Sequence, residues 1–252
     1  MDSLKNRTAI ITGAGSGMGR AMALLFAENG AKVLATDVRE DRLADLEKEI
    51  KNKGQIVSVF KSNVADENDV TRLFTRTIND FGTVDILVNN AGVLDDFMPV
   101  AETTTALWNR VMGVNINGPF FTCRAAVPQM LKQGKGVIIN IASVGGFTGA
   151  RAGVAYTTSK HALIGLTRNI GFVYAQKGIR CVAIAPGAVN TNIGEGMHPN
   201  ALGYEKLSLG LPTSPRTGEA SEIAQVALFL AGDNAGFING SVITVDGGWT
   251  AY

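Results

Sequence analysis

The sequence predicts one α/β domain, a doubly wound parallel sheet of seven strands with helices on both faces. Three observations predict it. Short β-branched, almost continuously apolar runs recur along the chain, the pattern of strands buried on both faces. Longer amphipathic segments separate those runs, as in a covered parallel sheet. The first run ends in a glycine-rich turn that opens a helical pattern.

Each element follows in order. Thr8–Thr12 reads as a buried strand and Met18–Asn29 as the helix after the turn. Lys32–Asp37 is a second strand, followed by a charged helix over Asp41–Lys51. Gln55–Phe60 is a third strand and Glu67–Phe81 a helix with an acidic first turn. Val84–Val88, Val137–Ile141, Ile179–Ala185 and Val242–Val245 are the remaining strands. Residues 187–218 break the rhythm with Gly, Pro, Asn and Thr. A connection this long is usually functional, and this one leaves the carboxyl edge of the sheet, where such folds bind ligands, so it is expected to be a substrate lid. No linker, repeat or low-complexity tract divides residues 1–252, so a single domain is expected.

Composition excludes several function classes. The 252 residues are 46% hydrophobic and 18% charged, which argues against disorder. Basic and acidic residues nearly balance, 23 against 22, with no long like-charge run. No nucleic-acid or membrane surface is therefore expected. Met1–Arg7 runs straight into a strand-like run, so no signal peptide is expected, and no apolar stretch reaches the ~18 residues of a membrane span. Two cysteines, Cys123 and Cys181, read as reduced structural thiols of a cytoplasmic protein. No His- or carboxylate-rich spacing suggests a catalytic metal.

The turn after the first strand is Thr12-Gly13-Ala14-Gly15-Ser16-Gly17-Met18-Gly19. Glycines let the backbone approach a pyrophosphate, and the helix N-terminus presents free N–H groups to it. The spacing is T-G-x-x-x-G-x-G rather than G-x-G-x-x-G, and such a turn can also connect strand to helix while binding nothing. Asp37, twenty residues after Gly17, ends the second strand where an acid accepts from adenosine ribose hydroxyls and repels a 2′-phosphate. Ser16 and Val38 offer no cation, and Arg39 reads as a solvated loop residue. NAD(H) is therefore expected over NADP(H), although Asp37 also suits a plain turn or cap.

Tyr156 and Lys160 lie four residues apart, hence on one helix face, and Ser143 lies thirteen residues before the tyrosine. An ammonium beside a phenol favours phenolate, which makes the pair a proton-transfer device. On an arbitrary helix such a pair is often surface decoration; here it follows a strand-end serine in a chain with a dinucleotide turn.

With these residues in place, the chain resembles the short-chain dehydrogenase/reductase family over essentially its whole length. The resemblance includes Asn89-Asn90-Ala91-Gly92, Asn115, Pro186-Gly187 with Thr191, and Asp246-Gly247-Gly248. It implies a Rossmann fold with Tyr156 as general acid/base, Lys160 binding the nicotinamide ribose and lowering the phenol's pKa, Ser143 orienting the substrate oxygen, and Asn115 holding a water-linked relay through Lys160. It further implies that Gly13, Ser16, Gly17, Met18 and Gly19 border the pyrophosphate. Asp37 and Val38 would meet the ribose, Asn63 and Val64 the adenine, Asn90 the ribose chain, and Val189 and Thr191 the carboxamide. Asn63 stands where an aspartate is more frequent in the family.

The expected activity is NAD(H)-dependent interconversion of a secondary alcohol and a ketone. The pocket is expected from Leu94, Ser143, Gly145, Phe147, Tyr156 and Gly187. Alternatives are a 3-oxoacyl thioester reductase, whose acidic carrier would need a basic patch such as Lys132, Lys135 and Lys177, and a non-catalytic dinucleotide sensor. The resemblance implies a homotetramer or dimer through the helices containing Phe120, Phe121, Ile164, Ile170 and Phe172, with the tail Trp249–Tyr252 able to pack across subunits.

Overall fold

The computed structural model describes residues 3–251; Met1, Asp2 and the tail residue Tyr252 lie outside the described residues. The chain runs β1 (Thr8–Thr12), α1 (Gly17–Glu28), β2 (Lys32–Asp37), α2 (Glu40–Asn52), β3 (Val57–Lys61), α3 (Glu67–Phe81) and β4 (Ile86–Asn89). It continues with α4 (Thr105–Met112), α5 (Gly118–Gln133), β5 (Gly136–Ile141), α6 (Val154–Val173) and β6 (Ile179–Pro186). Last come β7 (Val189–Asn190), α7 (Ala201–Ser208), β8 (Gly218–Glu219), α8 (Ala220–Ala231) and β9 (Val242–Val245).

Seven strands pair in parallel in the order β3-β2-β1-β4-β5-β6-β9, the sheet the sequence predicts. Period-two alternation divides its side chains between two cores. Ala9 and Ile11 of β1 face α1, α2 and α8, where Met22, Leu46 and Ala227 are buried. Ile10 faces the other way, against Leu73 of α3 and Val127 of α5. Consecutive crossovers run outward in opposite directions from β1 and β4. The helices therefore diverge above that strand pair and leave a crevice at its carboxyl end.

The 187–218 segment is not structureless. It contains α7, and its two ends pair with each other: β7 and β8 form a two-residue parallel ladder, Val189 opposite Gly218 and Asn190 opposite Glu219. α4 and the turn 113–117, not predicted from the sequence, carry the chain from the carboxyl end of β4 back to α5.

Buried amides cross-link the sheet beneath the crevice. Asn89 donates to Asn140 Oδ1 at 2.8 Å, and Asn140 donates to Thr167 Oγ1 at 2.9 Å. Thr122 Oγ1 donates to Asn89 Oδ1 at 2.6 Å. These four residues join β4, β5, α5 and α6. The same amides face Cys123 and Cys181, both free, whose thiols burial raises, the first to about 12. Asn140→Ala removes the central amide, opens a small cavity and orphans its neighbours. It should destabilise the fold by about 3 kcal/mol in urea unfolding; an unchanged midpoint would show that the network contributes little.

Candidate active site

The crevice is a cleft of about 420 Å³ at the carboxyl ends of β1, β2, β3 and β4. Its floor begins at the glycine turn. Gly13 has φ +64°, a conformation that favours glycine. A Cβ at Gly19 would stand 2.1 Å from the Gly13 carbonyl oxygen, so only glycine allows α1 to start this close to β1. Ser16 precedes α1 without a side-chain cap bond, and no acidic residue occupies the first turn. The first N–H groups of α1 are thus open toward the cleft, at the positive end of the helix dipole. That arrangement suits an anion, and a dinucleotide's pyrophosphate is the one the turn fits.

Asn90 pins this turn to β4. Its Nδ2 donates to the carbonyls of Thr12 at 2.9 Å and Gly13 at 3.1 Å. The Thr12 hydroxyl accepts from the backbone N–H groups of Asn90 and Ala91 at 3.0 and 3.1 Å. Asn90 therefore shapes the glycine turn as well as lining the cleft.

At the far end, Asp37 accepts from Gly15 N at 3.0 Å and from Arg39 N at 2.9 Å, which aims its carboxylate along the wall. Val38 is exposed beside it, and Asn63 and buried Val64 complete the wall. Gly13, Ser16, Gly17, Met18, Asp37, Val38, Asn63, Val64, Asn90 and Thr191 all line the cleft. Gly19 and Val189 do not. Gly19 is covered by Asn90, and Val189 is held in the β7/β8 ladder, where its side chain packs on the core.

Beside this cleft, α6 brings Tyr156 and Lys160 onto one buried face. Lys160 Nζ donates to the carbonyl of Ile141, at the end of β5, at 2.8 Å. It lies 5.4 Å from the centroid of the Tyr156 ring. Ser143 opens a short 3-10 turn, its Oγ accepting from Gly145 N at 3.0 Å, so its own proton remains available to an oxygen. The position a Cβ would take at Gly145 is 3.5 Å from Ser143 Oγ and 3.7 Å from Tyr156 Cε1. Ser143, Gly145 and Tyr156 thus surround one small space.

Asn115 sits in a π-helical turn, residues 113–117, between α4 and α5. Such bulges mark sites where a helix is widened to redirect a group. Its Nδ2 donates to Val93 O at 3.0 Å and Ser159 Oγ at 3.1 Å, and its Oδ1 accepts from Val93 N at 2.9 Å. It therefore joins the β4 loop to α6. A Cβ at Gly92 would lie 3.6 Å from Asn115 Oδ1 and 3.7 Å from Lys160 Nζ, so the two residues flank the same point.

The electrostatics correct the sequence reading. Tyr156 is pushed up, not down, to about 12. Burial dominates, the Ser143 hydroxyl pulls the other way, and Asp95 adds to the rise. Lys160 is pushed down to about 8, again by burial. Helical spacing placed the ammonium beside the phenol but carried no information about the desolvation of both.

Asp95 is the residue the sequence did not reveal. Fully buried, it accepts from Gly153 N at 3.0 Å and Tyr156 N at 2.9 Å, capping the first turn of α6. Next to it, Asp96 and Phe97 have φ of 53° and 56°, a left-handed pair rare outside glycine. The 187–218 segment docks there, with Asn200 N donating to Asp96 O at 2.8 Å. Its other end is held by Trp249, whose Nε1 donates to Gly210 O and whose ring lies 3.8 Å beneath the Arg151 guanidinium. Trp249 thus packs within its own chain.

Leu94 lines the cleft, Phe147 is exposed, and Gly187 is a packing position where a Cβ would meet Asp246 at 2.8 Å. Ile164 and Ile170 are core, whereas Phe120 and Phe172 are exposed. Lys135 and Lys177 precede β5 and β6, at the sheet end opposite the cleft, so they form no basic patch beside it. Among the described residues, no group of three or more His, Cys, Asp or Glu could hold a metal, and no helix is long and apolar enough to cross a membrane.

A family model described as Enoyl-(Acyl carrier protein) reductase matches residues 13–250. The chain is 45% identical to a 3beta-hydroxysteroid dehydrogenase of Eggerthella lenta over 99% of this chain and 96% of that one. It is 36% identical to a 3-oxoacyl-[acyl-carrier-protein] reductase of Thermotoga maritima, covering 97% and 98%. A solved structure from Beutenbergia cavernae, assigned as an NAD(P)-dependent gluconate 5-dehydrogenase with NADP at low occupancy, superposes with TM-score 0.88 at 34% identity, covering 99% and 98%.

The two buried groups link stability to pH in opposite directions. Lys160 titrates lower when folded, about 8 against 10.5, so the unfolded chain binds more protons between these values and stability rises with pH there. Tyr156 titrates higher, about 12 against 10, so stability falls as pH rises from 10 through 12. Urea unfolding from pH 8 to 10 should show the rise in the native protein and not in Lys160→Met; parallel curves would show that Lys160 is not desolvated.

Proposed function

The chain belongs to the short-chain dehydrogenase/reductase family of oxidoreductases, and from that premise we propose that it interconverts a secondary alcohol and a ketone using NAD(H). The observation that carries this reading is the shared space bounded by Ser143, Gly145 and Tyr156, alongside a cleft whose glycine turn, open helix N-terminus and Asp37 suit a dinucleotide.

When bound, a nicotinamide dinucleotide supplies or takes the hydride. The chain does the rest. Ser143 Oγ donates a hydrogen bond to the substrate oxygen and fixes its place. Tyr156 Oη gives that oxygen a proton in reduction and receives one in oxidation. A phenol held at about 12 is protonated at neutral pH, which sets it to act first as an acid, toward a ketone. Lys160, anchored by Ile141 O, keeps a positive charge near the phenol, so that losing the proton is less costly. Asn115 holds the Gly92–Val93 turn against α6 beside that lysine.

Asp37 supports NAD(H) over NADP(H), since its carboxylate would oppose a phosphate on the adenosine ribose. Leu94, Ile193 and Met197 supply apolar wall. With the hydroxysteroid dehydrogenase relative, this favours a ring-borne secondary alcohol as substrate. The exposed Phe120 and Phe172, on α5 and α6, support self-association as a homotetramer or dimer.

Tyr156→Phe should lower kcat/KM by about 10² to 10⁴ while NADH still quenches or enhances its own fluorescence on binding. Undiminished turnover in that variant would refute the assigned role. A panel of a 3-hydroxysteroid, cyclohexanol and a 3-oxoacyl thioester, each with both cofactors, should show preference for the ring alcohols and NAD(H).

A further inference from the structure

Two guanidinium groups stand at the Asp37 end of the cleft, and each is matched to a carboxylate. Arg39 grips Asp41 through Nε and Nη2 at 3.1 and 2.9 Å, within the start of α2. Arg42 does something different. Its Nη2 donates to Glu195 Oε2 at 2.9 Å, a partner 153 residues further along the chain. Glu195 belongs to the segment between β7 and β8, so this ion pair joins the lid to α2 across the mouth of the cleft, and both residues line it.

Arg42 also lies against the ribose end. The position a Cβ would take at Gly15 is 3.0 Å from both Arg42 Cβ and the Asp37 carboxylate. A phosphate on an adenosine ribose held by Asp37 would therefore lie near the Arg42 side chain. A guanidinium fork is the group that recognises such a phosphate in two-point fashion. Here it is already engaged. Asp37, Asp41 and Glu195 stand against Arg39 and Arg42, so this rim carries one net negative charge. Without Glu195 the rim is neutral and has one released fork.

We propose that Glu195 is a specificity-determining residue: by holding the Arg42 guanidinium it withholds that fork from a 2′-phosphate. The choice between NAD(H) and NADP(H) then rests on the lid as well as on Asp37. The pair is partly exposed, with side-chain exposures of 28% for Arg42 and 62% for Glu195, so its grip is modest and its effect on selectivity is of the same order. This inference rests on the reading of the cleft as a dinucleotide site.

The test is equilibrium binding, not turnover. NADH and NADPH are titrated into the full-length protein by calorimetry at one fixed, low ionic strength. In Glu195→Gln, the ratio of the NADPH Kd to the NADH Kd should fall by about threefold. In the double variant Arg42→Gln/Glu195→Gln the ratio should return to near the native value. Since Glu195 is exposed, a thermal melt matching the native protein is expected to accompany both measurements. An unchanged ratio in Glu195→Gln with NADH still bound overturns this inference alone, as does a double variant that keeps the whole gain. Failure of the native protein to bind either dinucleotide overturns the dinucleotide reading and this inference together.

Discussion

An ammonium taken out of water persists only where an acceptor is fixed beside it. For Lys160 that acceptor is the carbonyl of Ile141, the last residue of β5. This contact ties α6 to the carboxyl edge of the sheet. Ser143 follows Ile141 by two residues and Tyr156 precedes Lys160 by one helical turn, so their relative places follow from it. Asp95 secures the same helix from its N-terminal end by receiving the N–H groups of Gly153 and Tyr156. Rotating α6 by a fraction of a turn would leave a buried charge, a buried carboxylate and two N–H groups without partners.

The parallel sheet explains why these anchors meet the nucleotide cleft at all. Every strand ends at the same edge, and the chain turns outward in opposite directions from β1 and β4. The glycine turn leaves β1, the Asn90 clamp leaves β4, and the Ser143 turn leaves β5, all at the carboxyl edge of the sheet. Behind them the Asn89–Asn140 amide pair and its threonine partners bind strands to helices without exposing any group to water. The site thus rests on a buried base whose amides and threonine hydroxyls are hydrogen-bonded to one another.

Much of this was legible in the sequence because it is periodic or punctuated. Apolar runs located all seven strands of the sheet to within two residues, and the glycine spacing located the tight turn that opens α1. Helical spacing alone put Tyr156 and Lys160 on one face. What was not legible depends on contacts between distant segments. The rise of the Tyr156 phenol comes from burial, which no spacing rule reports. Asp95 caps a helix that starts 59 residues later, and Arg42 meets its partner across 153. Val189 and Gly187 likewise have neighbours, Gly218 and Asp246, that only the return of the chain brings to them.

The short ladder between Val189–Asn190 and Gly218–Glu219 has a consequence beyond closing a loop. It brings the two ends of the intervening stretch together, so the residues between them form a closed loop. From that closed base the stretch reaches three separate walls: Thr191 packs on Gly17, Glu195 pairs with Arg42, and Asn200 N donates to Asp96 O. One loop thus braces the start of α1, the start of α2 and the turn before α4 at once, so a change within it is felt at all three.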